Sequence, residues 1–482
     1  MNPGGQLLDR RRFLHASLLA AAGATTPSSW AAEASSQRVT VYLDPRHVMG
    51  IVPAEFTGLG FEASAVARSG FLSAENTAYI QYAKTLGAGG VIRIGGNVSD
   101  FTHWSPNGQP APLPKATVLN ERCIRELGEF LRALRWRLIW GLNLGSGTPE
   151  EAAAEARSVA SAVGDLLLAF EIGNEPDLFA HSEHRNPGWG YAEWYQQYVQ
   201  FRSAVESKLP NAPFAGPDVA NATDWVARFA AAEDTRVKLL THHYYAEGPP
   251  DSPRSTIDNL LKTDPKLTPI LSQMQEASKA CKAPYRICEV NSCFGGGKPG
   301  VSDTFASALW GLDFMLTLCA ADSVGVNLET SINQLGFLSS YSPIWEDGRG
   351  NYSARPLYYG MLAFQEAAQG QRIAADYAAG KMNVKAYAFI GKDHLLRAAL
   401  INKEPSTDVE VRLISPEKFT HVSAMRLRAA SLESKSGVTL GDTEVLASGT
   451  WEPGRPERLT VRGSECMVHL PRASAAIVRL QV

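Results

Sequence analysis

The stretch Phe170-Glu171-Ile172-Gly173-Asn174-Glu175-Pro176-Asp177 carries an apolar run, begun at Leu167, into a polar turn. Proline has no N–H to give a sheet ladder, so the strand stops there. Runs of the same kind, each ending in a polar turn, occupy Gly58 to Glu62, Gly90 to Ile94, Arg137 to Leu142, Phe214 to Asp218, Lys238 to His243, Tyr285 to Glu289 and Val324 to Glu329. Stretches with helical period lie between them, among them Ala192 to Lys208 and Thr304 to Cys319. Strand followed by helix is the unit of a parallel sheet, and eight such units point to a closed (β/α)8, or TIM, barrel of the α/β class over residues 53–368. A doubly wound open sheet would want a Gly-rich phosphate turn after its first strand. Gly58-Leu59-Gly60-Phe61-Glu62 lacks the third glycine.

Beyond about Gln369 the helical period fades. Strand-like pieces follow at Val384 to Phe389, Leu395 to Ile401, Asp408 to Leu413, Val422 to Leu427, Arg458 to Val461, Cys466 to Leu470 and Ala475 to Gln481, separated by Gly-, Pro-, Ser- and Asp-rich turns. This pattern predicts a C-terminal antiparallel β-sandwich domain over 369–482. A lone strand, Arg38 to Leu43, precedes the barrel, and the segment 35–52 is expected to join that sandwich.

In a barrel of this kind catalytic side chains sit at the carboxyl ends of strands, because the loops there share one face. Asn174 and Glu175 hold that position on strand four, and Tyr285-Arg286-Ile287-Cys288-Glu289 puts a second carboxyl there on strand seven. Strands four and seven face one another across the mouth. Two carboxyls so placed suit a glycosidic bond: one protonates the leaving oxygen while the other, ionised, attacks the anomeric carbon. Glu175 is the expected acid/base and Glu289 the expected nucleophile. Thr241-His242-His243-Tyr244-Tyr245 ends the sixth strand, and from it His242 and Tyr244 are expected at the site, the Tyr244 phenol bonding Glu289, with His243 and Tyr245 turned to wall packing.

The balance of 46 Lys and Arg against 49 Asp and Glu leaves no field to gather a polyanion, so nucleic acid is not an expected partner. His181, Glu183 and His184 lack the His-Glu-x-x-His spacing and read as solvated loop, so neither metal nor other cofactor is expected. The six cysteines are too few for a disulfide scaffold. Arg10-Arg11-Arg12-Phe13-Leu14, a short apolar run and small residues to Ala34 have the form of a twin-arginine signal peptide over 1–34, an ordinary secretory signal or a retained anchor being the alternatives. The expected location is therefore periplasmic or extracellular, free of the membrane after cleavage. Oligomeric state is not legible.

Asn-Glu-Pro after strand four, His-x-Tyr after strand six and a glutamate after strand seven resemble the large clan of retaining barrel glycosidases. Gly173-Asn174-Glu175-Pro176, Gly216-Pro217-Asp218-Val219, His242-His243-Tyr244-Tyr245, Phe294-Gly295-Gly296-Gly297 and Ser302-Asp303-Thr304-Phe305, in that order, resemble glycoside hydrolase family 79, which contains heparanases and β-glucuronidases. The resemblance implies that Glu175 and Glu289 take the two catalytic roles, that Gly295 and Gly296 bind a uronate carboxylate through backbone N–H groups, and that Tyr341 contacts the same group. Phe294 stands where the family commonly has Tyr. Glu62 and Asn97 match positions that touch hydroxyls of the terminal sugar, Asn97 replacing a threonine of mammalian heparanase. The loops after strands four and six hold few Lys or Arg, which favours an exo-acting β-glucuronidase that removes terminal, unsulfated glucuronic acid over an endo-acting, heparanase-like enzyme. A sugar-binding protein without catalysis is the alternative of another class, and it would not need both carboxyls.

Overall fold

The computed structural model describes residues 37–110, 116–182 and 184–482. The expected signal peptide and Glu183 lie outside the described residues. Eight parallel strands close into a barrel: β1 (Gly58–Glu62), β2 (Val91–Gly95), β3 (Arg137–Leu142), β4 (Leu167–Ile172), β5 (Phe214–Val219), β6 (Val237–Glu247), β7 (Tyr285–Cys293) and β8 (Val326–Glu329). Closure is made where Leu328 of β8 pairs with Leu59 of β1. Inside, Val91, Ile139, Ala169, Ala215, Leu239 and Cys288 form one apolar layer. Side chains two residues further on point the same way, so Arg93 and Glu171 stand directly above that layer, toward the carboxyl ends.

The helices outside bury one stripe each. Glu121–Leu134 is capped by Asn120, whose side chain accepts from Arg122 and Cys123 N–H, and it buries Ile124, Leu127, Phe130, Leu131 and Leu134. Gly128 lets it lie against Pro149–Val163, because a Cβ there would stand 2.5 Å from the Ala162 carbonyl oxygen. Phe305–Ala320 is buried on nearly every face, lying between the barrel and a second sheet.

That second sheet has eleven strands and is curled on itself. Its order runs Thr439–Leu440, His421–Arg428, Ser474–Gln481, Leu396–Asn402, Val384–Ile390, Gln371–Tyr377, Gln37–Ile51, Val409–Ile414, Glu465–Leu470 and Val461–Arg462, with Glu457–Arg458 beside the second of these. Gln37–Ile51 is antiparallel to Gln371–Tyr377 and parallel to Val409–Ile414. It runs past Leu43, where the apolar alternation ends, because an irregularity between Asp44 and Val48 accommodates Pro45. One face of the curl encloses Val39, Val41, Val411, Leu413, Val468 and Val478, while Ala399, Ile401, Met425, Leu427 and Ile477 on the other face join the core of the barrel. Among the described residues no helix is long and apolar enough to cross a membrane.

One buried ion pair ties sheet to barrel. Lys403 Nζ donates to Asp313 Oδ2 at 2.5 Å, and the Tyr387 hydroxyl donates to Asp313 Oδ1 at 2.7 Å. Removing one partner leaves the other charge buried and uncompensated, so Asp313→Ala should lower the unfolding free energy by about 3–5 kcal/mol in a urea titration. A loss under about 1 kcal/mol, the size of an exposed pair, would contradict this reading of the contact.

Candidate active site

The centre of the cavity floor is Arg93, wholly buried on β2. Its guanidinium donates through Nε to Glu171 Oε2 at 3.1 Å, through Nη1 to Glu289 Oε2 at 2.6 Å, and through Nη2 to Asp218 Oδ2 at 2.6 Å and Asn174 Oδ1 at 2.8 Å. A cation out of water needs such compensation, and a planar fork distributes it to strands β4, β5 and β7 at once. Glu289 reaches this layer because the β6–β7 register slips between Ile287 and Glu289. The slip turns Glu289 inward although Cys288, its neighbour, already faces the barrel interior.

Glu175 lies at the end of β4 with φ 49°, a left-handed conformation costly to any residue but glycine. Its position is over-determined by neighbours. Its N–H donates to the Asp218 carbonyl at 2.9 Å, and Asp177 accepts the N–H groups of Ala220, Asn221 and Ala222 at 2.8–3.0 Å. The result is one tight group: oxygens of Glu175 and Glu289 and a ring nitrogen of His243 lie within 4.8 Å of one another. His243 Nδ1 stands 3.0 Å from Glu175 Oε1 and Nε2 stands 2.7 Å from Asp218 Oδ1. Among the described residues this is the set of donors that could hold a metal ion, yet both ring nitrogens are engaged and Arg93 already supplies the cation beside Glu289.

The histidine and tyrosine expected from strand six are corrected by one residue. His243 and Tyr245 face the site; the Tyr245 hydroxyl donates to Glu289 Oε1 at 2.9 Å. His242 is buried outside the barrel, 3.1 Å from Thr223 Oγ1. Tyr244 stacks on Phe314 and gives its hydroxyl to Asp264, so it borders the cavity without reaching Glu289. The cause is the phase of β6. Leu239 belongs to the interior layer, and period two then sends Thr241, His243 and Tyr245 inward. The signal was in the sequence: Lys238 is exposed, and a lysine cannot point into the apolar base of a barrel, so odd-numbered residues had to.

A cavity of about 870 Å³ opens over these groups. Glu62, Asn97, Asn174, Phe294, Gly295, Gly296 and Tyr341 all line it, as does Glu329, which the sequence reading left out although it ends the eighth strand. Glu62 accepts the Val98 N–H at 2.9 Å, and the Asn174 amide donates to Asn97 Oδ1 at 3.3 Å. Gly295 and Gly296 have φ 75° and 85°, and their N–H groups have no acceptor among the described residues. Tyr341 is buried, its hydroxyl paired with Ser331 Oγ and its ring 6.3 Å from that of Tyr245. His181 and His184, expected in solvent, line the same cavity, and so do two cations, Arg254 and Lys266, brought in from beyond the Gly248 turn.

Comparison with known proteins gives this arrangement its place. Residues 386–477, in the second sheet, match the model described as the glycosyl hydrolase family 79 C-terminal beta domain. A beta-glucuronidase of Aspergillus niger is 26% identical over 468 residues, covering 82% of this chain and 84% of its own. A heparanase of Rattus norvegicus is 25% identical over 338 residues, 57% of this chain and 60% of its own. The second sheet thus matches a family 79 C-terminal domain, and the chain as a whole is similar to beta-glucuronidases and heparanases. A solved 4-O-alpha-L-rhamnosyl-beta-D-glucuronidase from Fusarium oxysporum superposes with a TM-score of 0.75 over 91% of this chain and 99% of that one, at 19% identity. A family 51 arabinofuranosidase from Xanthomonas axonopodis pv. citri superposes with a TM-score of 0.68 at 18% identity, and at such identities both likenesses speak for the fold.

In this glycosidase the buried cluster sorts its protons. Burial raises the Glu175 carboxyl, and the charge of Glu289 adds to that, against the lowering hydrogen bond from His243. Burial works against charge on Asp218 and on His243 alike, but Arg93 and His243 hold Asp218 below the usual carboxylate range, while Asp218 and Glu289 hold His243 well above the usual imidazole value. His243 is therefore a cation that donates from both nitrogens. Burial pushes Glu171 and Glu329 up to about 7 each, Asp218 adding to the first and Glu289 to the second. His242, outside the barrel, is pushed down by burial to about 4 and stays neutral.

Glu289 thus takes one hydrogen bond from a cation and one from a phenol. Losing a bond to a charged group costs roughly ten- to hundredfold in rate if the bond persists in the transition state. Tyr245→Phe should lower kcat by that much and Tyr244→Phe by less than about threefold, a split that steady-state kinetics reads directly. The reverse ranking would restore the uncorrected phase of the strand.

Proposed function

We propose that this glycosidase is a retaining, exo-acting β-glucuronidase of family 79. The observation that carries the proposal is the spacing of Glu175 and Glu289, whose oxygens lie within 4.8 Å. Retaining enzymes hold their carboxyls about 5–5.5 Å apart, whereas inverting ones leave about 6.5–9.5 Å for a water. Glu175, whose carboxyl burial raises against the lowering hydrogen bond from His243, gives its proton to the glycosidic oxygen as the bond breaks. Glu289, aligned by Arg93 and Tyr245, attacks the anomeric carbon from the other side and forms the glycosyl ester. The leaving group departs as an alcohol. Glu175, now ionised and hydrogen-bonded by cationic His243, then takes a proton from the entering water, which cleaves the ester and frees the sugar.

Terminal glucuronic acid is supported by two features. Relatives of this chain are named β-glucuronidase and heparanase. In addition, the N–H groups of Gly295 and Gly296, with the Tyr341 phenol beside them, offer donors where a carboxylate can approach backbone closely. Phe294 contributes no hydroxyl, so selection of the uronate rests on the glycines and Tyr341. Arg254 and Lys266 on the cavity wall favour the endo-acting reading, but Glu247 and Asp264 stand beside them and balance their charge.

Aryl β-glycosides that differ only in the sugar test the proposal. Release from the glucuronide, with heparan sulfate chain length unchanged, is the expected result; preference for an arabinofuranoside or glucoside, or shortening of heparan sulfate, would overturn it. Glu289→Gln should abolish turnover, and Glu175→Ala should recover with azide as an external nucleophile that needs no proton. Because the acid must be protonated, kcat/KM should fall only as pH rises through the Glu175 value, above the usual carboxyl value of about 4.3. A fall already complete below about pH 4 would contradict this assignment.

A further inference from the structure

We propose that Phe101, backed by His184 and Phe179, is the stacking platform for the leaving group, and that it selects leaving groups with a flat ring over small alkyl ones. The inference rests on the assignment of Glu175 as proton donor, since the leaving group lies on the donor's side of the scissile bond. Phe101 ends the turn Asn97–Phe101 after β2 and is 46% exposed, on the wall of the cavity that holds Glu175. Its ring centroid is 4.6 Å from that of His184, which is 4.9 Å from that of Phe179; Phe179 in turn stacks on Trp189 at 6.0 Å. Arg185 lies over both of the last two rings. Phe101 and His184 meet at 39° and His184 and Phe179 at 46°, so the rings form a tilted aromatic cluster whose outermost member, half-exposed Phe101, offers a surface to a ring.

The mount is rigid. Asp100, next to Phe101, is buried and accepts the N–H groups of Leu144, Gly145 and Asn174 at 2.9–3.1 Å. Asn174 precedes Glu175, so one carboxyl fixes both the platform and the backbone that carries the proton donor. A large apolar side chain held bare on the cavity wall costs hydration free energy in the empty enzyme, and a C–H face or an aryl face laid on it recovers that cost. A methyl leaving group is too small to cover the ring. A pyranose and an aryl group share the required flat, C–H-rich face.

The test holds the terminal sugar constant and varies the leaving group. Values of kcat/KM are compared for the methyl glucuronide, a p-nitrophenyl glucuronide and a disaccharide of glucuronic acid on a neutral pyranose, in wild type, Phe101→Ala and Phe101→Trp. Phe101→Ala should reduce the preference for ring-bearing over methyl leaving groups by roughly three- to tenfold, the range of an aromatic contact. Phe101→Trp should restore that preference. A reduction confined to the disaccharide identifies a sugar platform, one confined to the aryl substrate an aryl platform, and both support the inference. Unchanged preference in Phe101→Ala, or equal losses on all three substrates, overturns it. Wild type inert on every glucuronide would instead sink the glucuronidase reading, and this inference with it.

Discussion

A single buried guanidinium organises the catalytic end of this barrel. Arg93 has no water to solvate it, so Glu171, Asp218, Asn174 and Glu289 must turn toward it, and they come from three different strands. The same contacts solve the opposite problem. Carboxyls packed within one layer would repel one another; Arg93 and His243 hold Asp218 below the usual range, while burial and neighbouring charge push Glu171 and Glu329 up to about 7. Under the proposed mechanism, acid and nucleophile draw on one charge distribution and not on two separately tuned residues.

The backbone supplies the second constraint. Glu175 at φ 49°, Asp218 at φ 60° and Ser331 at φ 48° are left-handed at the ends of β4, β5 and β8. Each is held by a hydrogen bond from its N–H, Glu175 to the Asp218 carbonyl, Asp218 to Thr241 Oγ1 and Ser331 to Glu329 Oε1. Strain of this kind is tolerable because the interior layer beneath and the second sheet behind fix the barrel independently of its mouth.

Much of this was legible in the chain. Eight apolar runs punctuated by polar turns gave the eight strands in order, six of them within about two residues, while β6 and β7 run four residues further, to Glu247 and Cys293; Glu175 follows its strand because Pro176 stops it, whereas Glu289 lies within β7. What escaped was phase and irregularity. The doubled letters of His-His-Tyr-Tyr present chemistry on both faces, so the sequence pattern alone does not choose between them; only exposed Lys238 does. A register slip such as the one at Glu289 leaves no compositional trace, nor does the arrival of Arg254 and Lys266 from a segment well past the strand. The second sheet was visible as strands, but its curl onto itself, and the use of its other face as barrel core, depend on contacts between segments far apart in sequence.

The central claim, proposed from the closeness of the Glu175 and Glu289 oxygens, is that Glu289 forms a bond to the sugar. Proton NMR of an aryl β-glucuronide in the first minutes of hydrolysis reads this most directly. The account predicts β-glucuronic acid as the first product, with the α anomer growing only at the rate of mutarotation. First appearance of the α anomer would mean that water attacks without a covalent intermediate, and the account would be wrong.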